Sequence, residues 1–174
     1  VHVLMRYTLR LLTAQQFQRS SRLICAMEVI RKKNRELLGD IPFSIGLWVG
    51  GANTPNSRKD AISVLNGLKK GDRAIENKFI LDRCPWCGAQ IGPLDYSGKP
   101  SKNALRVIGY VQEGNTVVIK CSDNDCPFSS GLPVYVIDED IYEYKPSLVI
   151  GTVDKFAMLA WSANPRALFG IDGD

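Results

Sequence analysis

Short apolar runs and helically spaced apolar positions alternate along the first third of the chain. Residues 1–7 are apolar except for His2 and Arg6, which predicts a buried strand. Apolar residues then recur at helical spacing between positions 17 and 30, and basic residues gather after them. This pattern predicts a helix, and Thr13 is its expected N-cap.

The same alternation returns in two further places along the chain. A second apolar run at residues 43–49 ends at two glycines and is followed by a predicted helix at residues 59–69. A third strand is predicted at residues 147–151, and a helix is predicted at residues 153–161. Strands that alternate with helices are typical of an α/β fold with a parallel sheet.

The pattern changes between residues 79 and 136, where turn signals and two cysteine pairs replace the helices. Short strands are predicted there at residues 104–111 and 116–120. We therefore expect a small β-rich insertion at 79–136 that divides the α/β domain into residues 1–78 and residues 137–174.

The two cysteine pairs have the spacing of a zinc site. Cys84 and Cys87 are separated by two residues and precede a glycine, while Cys121 and Cys126 are separated by four. Four thiolates predict a closed, structural zinc ribbon; a disulfide, a redox pair and bound iron are the alternatives. The fifth cysteine, Cys25, stands alone in the predicted helix, where we expect a small buried apolar residue.

Charge and composition exclude few classes of function. The formal net charge is +4, which is compatible with nucleic-acid binding but does not require it. The sequence has neither a membrane-length apolar run nor a signal peptide, so we expect a cytoplasmic protein without membrane partners. Both ends lie at apolar runs, from which we expect a piece of a longer protein.

Motifs for independent catalysis are missing from the sequence. It has no phosphate-binding loop, and its one histidine, His2, makes a catalytic triad implausible. The acidic run at residues 138–140 follows an apolar stretch, as the magnesium-binding carboxylates of an ATPase do. We favour another interpretation, in which these residues form a solvated acidic turn.

Three strings resemble motifs of superfamily 2 helicases. Residues 7–16 (YTLRLLTAQQ) resemble motif Ia, although Tyr7 replaces its usual proline. Gly50 and Gly51 resemble the double-glycine element, and residues 148–156 (LVIGTVDKF) resemble motif Ib. Residues 6–19 (RYTLRLLTAQQFQR), 84–88 (CPWCG) and 151–156 (GTVDKF) together are similar to the helicase component of DISARM-type phage defence systems.

The resemblance implies a partial RecA-like parallel sheet, interrupted by the zinc ribbon, from the first helicase domain. The family's two ATP motifs would flank this stretch, so ATP and magnesium would be bound only by the full-length parent. The chain alone would contain no catalytic residue and would be inactive. Its expected partners are nucleic acid, with DNA favoured over RNA, and the remainder of the helicase chain.

The resemblance also implies a set of contacts with the nucleic-acid backbone. Side chains or backbone N–H groups at the ends of the three strands would bind phosphates, and they belong to Arg6, Thr8, Gly50, Gly51, Thr152 and Lys155. In the simpler alternative, the threonines cap helices and the glycines make a turn. The alternative function is a non-enzymatic zinc-binding adaptor for protein contacts.

Overall fold

A four-stranded parallel sheet forms the centre of the α/β part of this computed structural model, which describes residues 1–8, 10–95, 97–99 and 106–171. Its strands in spatial order are β1 (Val3–Tyr7), β8 (Leu148–Thr152), β2 (Ile45–Trp48) and β7 (Val134–Tyr135). All three strands predicted for the α/β part are present, but the expected burial of the first is wrong. β1 lies at the edge of the sheet, where Val3 and Met5 are 51% and 38% exposed. Tyr7 lies beside Thr152 and Trp48 beside Gly151, so the carboxyl ends of β1, β8 and β2 meet at one edge.

Five α-helices and two 3-10 helices accompany the sheet in the described residues. They are α1 (Arg10–Lys33), α2 (Arg35–Leu38), α3 (Arg58–Lys69), α4 (Asp138–Tyr144), α5 (Val153–Ala157) and the 3-10 helices Met158–Ala160 and Asn164–Phe169. The prediction of Thr13 as an N-cap is wrong, because helical backbone already begins at Arg10 and Thr13 is buried within the first turn. The helix predicted at 153–161 becomes a 3-10 helix after Ala157.

The described residues of the cysteine-rich part form two small antiparallel sheets. One pairs β3 (Gly92–Leu94) with β4 (Arg106–Ile108), and the other pairs β5 (Tyr110–Glu113) with β6 (Thr116–Ile119). Residues 104 and 105 of the predicted strand 104–111 lie outside the described residues. The remainder is split by Gly109, whose φ of 74° and whose contact of 2.7 Å between an added Cβ and the Lys120 carbonyl both require glycine.

The cysteine-rich part packs directly on the α/β part. One buried cluster includes Phe17 of α1, Leu47 of β2 and Val117 of β6. The hydroxyl of buried Tyr110 donates to the Leu81 carbonyl at 2.6 Å, which satisfies a polar atom inside this cluster. Strand β7 lies within the predicted insertion 79–136 but belongs to the parallel sheet, and the domain boundaries stay a prediction.

The acidic run at residues 138–140 forms the first turn of α4, so the predicted solvated turn is wrong. The side chains of Asp138 and Asp140 are only 5% and 6% exposed. Burial is tolerated because each carboxylate has a cationic partner: Asp138 contacts Lys155, and Asp140 accepts from Arg58 Nε at 2.6 Å. Glu139 accepts from the backbone N–H of Arg58 at 2.8 Å.

Burial raises the pKa of Asp138 to about 6, against the opposing effect of Lys155. Because this folded pKa lies above the ordinary value of about 3.9, protonation of Asp138 stabilises the folded protein. This contribution to the unfolding free energy is complete below about pH 4 and is lost as pH rises through 6. We expect the unfolding free energy of the wild type, relative to Asp138→Asn, to fall between pH 4 and pH 7. Urea denaturation of both proteins across this range measures the difference.

An Asp154→Asn variant supplies the control, because Asp154 is an exposed carboxylate on α5. A difference between wild type and Asp138→Asn that stays constant from pH 4 to pH 7 would contradict the raised pKa.

Candidate metal centre and nucleic-acid interface

The four paired cysteines converge on one point. Their Sγ atoms all lie within 4.8 Å of one another. Cys84 and Cys126 are separated by 3.9 Å, and Cys87 and Cys121 by 3.4 Å, measured between Sγ atoms. Tetrahedral zinc with bonds of about 2.3 Å would place such sulfurs about 3.8 Å apart, so the spacing suits a metal ion such as zinc.

Two backbone turns hold the sulfurs in place. In the first turn, the Cys84 N–H donates to the Ala89 carbonyl at 2.8 Å, and the Gly88 N–H donates to the Cys84 carbonyl at 2.9 Å. Gly88 has a φ of 79°, which explains the glycine after the first pair. In the second turn, the Cys126 N–H donates to the Asp123 carbonyl at 3.2 Å.

The thiols differ in exposure, since Cys87 is exposed while Cys84, Cys121 and Cys126 are buried. Burial raises the pKa of Cys121 and Cys126, so metal binding must displace protons from these thiols. Four thiolates leave no open coordination position, which is typical of a structural site. Cys25 is fully buried in α1, and burial raises its pKa to about 12, with smaller contributions from Cys84 and Cys126.

The carboxyl edge of the parallel sheet gathers the positions predicted to bind nucleic acid. Arg6 and Thr8 are exposed at the end of β1, and Gly50 and Gly51 follow β2. Thr152 ends β8 between them and is buried. It occupies the N-cap position of α5, yet its side chain makes no capping hydrogen bond, so capping does not explain this threonine.

Lys155 lies at this edge but points inward, with 2% of the residue exposed. Its Nζ contacts Asp138 Oδ2 and donates to Asn56 Oδ1 at 3.0 Å. The other oxygen of Asp138 is buried without a hydrogen-bond partner among the described residues. In this structure the charge of Lys155 is therefore used inside the protein.

Because Gly51 has no side chain, it leaves space for Asn56, which accepts a hydrogen bond from Lys155. A Cβ added at Gly51 would lie 2.5 Å from Asn56 Nδ2, so a side chain there would displace the amide that holds Lys155. The carbonyl of Gly51 accepts from Lys78 Nζ at 2.7 Å, and the carbonyl of Gly50 accepts from the Asn53 N–H at 2.8 Å. Asn56 and Lys78 were not predicted, because no local sequence pattern signals either contact.

Fold and site together define an α/β unit and, packed against it, a part with four converging cysteines that could hold a metal ion. Among the described residues, no helix is both long and apolar enough to cross a membrane. The chain matches none of the protein-family models with which it was compared.

It is similar to "DISARM protein DrmA" of Bacillus paralicheniformis, with 37% identity over an alignment of 187 positions. The alignment covers 98% of this chain, which supports a DISARM-type relationship. The chain spans 15% of the length of that relative.

We expect the chain to bind one metal ion through its four paired cysteines, and the double variant Cys121→Ser/Cys126→Ser to lose it. Removing two thiolates leaves too few ligands for a closed site, so the unfolding midpoint should also fall. Metal analysis after dialysis gives the stoichiometry, and thermal unfolding gives the midpoint.

Cys25→Ala is the matched control, because it removes a buried thiol close to the site that is outside the predicted ligand set. Retention of the metal by the double variant, or its loss from Cys25→Ala, would contradict the assignment of ligands.

Proposed function

We propose that this chain is the part of an ATP-dependent nucleic-acid helicase or translocase that lies between its two ATP motifs. The observation that carries the proposal is the strand order, which brings the ends of β1, β8 and β2 to one edge. These are the three segments that resemble helicase motifs. Ligands of open α/β sheets bind at the carboxyl ends of the strands, so the edge is the expected contact surface.

Contacts at this edge would be independent of base sequence. Arg6 offers a positive charge, Thr8 offers a hydroxyl group, and the loop at Gly50 and Gly51 offers backbone N–H groups to phosphate oxygens. Lys155, which the motif resemblance implied as a further contact, would first have to leave Asp138. DNA is the favoured nucleic acid, and ATP and magnesium belong to the remainder of the parent chain.

The metal centre has a structural role in this proposal, with zinc as its occupant. Zinc suits four converging thiolates in a tetrahedral set. By closing the loop between Cys84 and Cys126, the ion would stabilise the small sheets that pack against β2 and α1.

A protein-interaction adaptor is the second candidate, and the exposure of Trp86 favours it. Trp86 lies between Cys84 and Cys87 and is 42% exposed, while its ring contacts buried Phe128 edge-on at a centroid distance of 6.1 Å. Tryptophans held in this way often anchor protein contacts. Such contacts would depend weakly on salt, whereas phosphate contacts depend on it strongly.

We expect the zinc-loaded chain to bind fluorescent single-stranded and duplex DNA weakly, with an affinity that falls as salt rises. Removal of one phosphate contact in Arg6→Gln should make the slope of log affinity against log salt shallower by about 0.7 for single strands and about 0.9 for duplex. Fluorescence anisotropy across a salt series measures both slopes.

Arg22→Gln is the matched control, since it removes an exposed arginine on α1 and should leave the slope unchanged. Absence of binding at low salt would count against the helicase proposal and would favour the adaptor.

A further inference from the structure

The loop that follows β2 forms a hydrogen bond with a cation that lies outside the helicase-like motifs. Lys78 lies in the connection between α3 and the first cysteine pair, and its Nζ donates to the Gly51 carbonyl at 2.7 Å. Lys78 is partly buried, so this hydrogen bond holds the ammonium group at a defined place beside the two glycines. The carboxyl edge of the sheet therefore has a positive charge that the sequence motifs did not indicate.

The charge of Lys78 is uncompensated within the described part of the chain, where no carboxylate lies within ion-pair distance of it. Two other buried or partly buried cations of this region have such a partner: Arg58 pairs with Asp140, and Lys155 pairs with Asp138. A lysine ammonium has three N–H donors, and the Gly51 carbonyl uses one of them. Two donors and a full charge remain for an external anion.

The two lysines at this loop have opposite surroundings. Asn56 fills the space that the missing side chain of Gly51 leaves, and it binds Lys155, whose charge Asp138 neutralises. The carbonyl of the same glycine holds Lys78, which has no ion-pair partner among the residues that the structure describes. Lys155 thus supports the loop from inside the protein, and Lys78 adds a positive charge beside it.

We propose that Lys78 is a phosphate-binding residue of the Gly50–Gly51 loop and supplies the charge that the sequence motifs assigned to Lys155. The inference rests on the proposed function, in which this edge contacts the nucleic-acid backbone. A phosphodiester suits the site because it accepts hydrogen bonds from an ammonium group and from backbone N–H groups together. Contacts of this kind carry no sequence preference.

The test compares Lys78→Gln with wild type in DNA binding across a salt series, using the zinc-loaded chain. Loss of one phosphate contact should make the slope of log affinity against log salt shallower by about 0.7 for single-stranded DNA. Lys78→Arg keeps the charge and should restore the wild-type slope. Lys70→Gln removes an exposed lysine at the end of α3 and is the matched control, with an unchanged slope expected.

A second measurement does not depend on the folding of a variant. Acetylation of wild-type lysines, followed by mass spectrometry, should show that DNA protects Lys78 but leaves Lys70 as reactive as before. A wild-type slope in Lys78→Gln, or equal acetylation of Lys78 with and without DNA, would overturn the inference while leaving the proposed function in place. If wild type binds no DNA at low salt, both are overturned.

Discussion

The buried pair of Asp138 and Lys155 connects three of the four strands at the edge where function is proposed. Asp138 begins α4 after β7, and Lys155 lies in the first turn of α5 after β8. Asn56 accepts a hydrogen bond from Lys155 and so connects the pair to the loop after β2. Two charges removed from water are costly, so they persist only with close geometry and further hydrogen bonds. The Tyr142 hydroxyl donates one such hydrogen bond to Asp138 Oδ2 at 3.4 Å. The indole N–H of Trp48 in turn donates to the Tyr142 hydroxyl at 2.9 Å.

The second buried carboxylate of the same turn joins the α/β part to the cysteine-rich part. Asp140 accepts from Arg58 of α3 at 2.6 Å through one oxygen and from the Thr116 hydroxyl at 2.6 Å through the other. Thr116 begins β6, the strand that leads to Cys121. Since the hydrophobic core is also continuous across this junction, the folding of the metal site and of the sheet should be coupled.

Features that depend on local sequence were predictable, and features that depend on distant partners were not. Three of the four parallel strands and the four converging cysteines follow from apolar runs and residue spacing, which are short-range patterns. The acidic run at 138–140 was misinterpreted because its cations, Arg58 and Lys155, come from other elements. Lys78 was missed for the same reason, since its partner Gly51 lies across a whole helix in the sequence.

These long-range contacts change which charges the proposed nucleic-acid surface presents. Of the two cations in the predicted set, Arg6 is exposed, whereas Lys155 is neutralised by Asp138. Among the described residues assigned to this edge, Arg6 and the inferred Lys78 supply positive charge, and the backbone and Thr8 supply hydrogen bonds. Few phosphate contacts mean weak, salt-sensitive binding, because each contact contributes separately to counterion release. Weak contacts would suit a translocase, which must release the strand at every step.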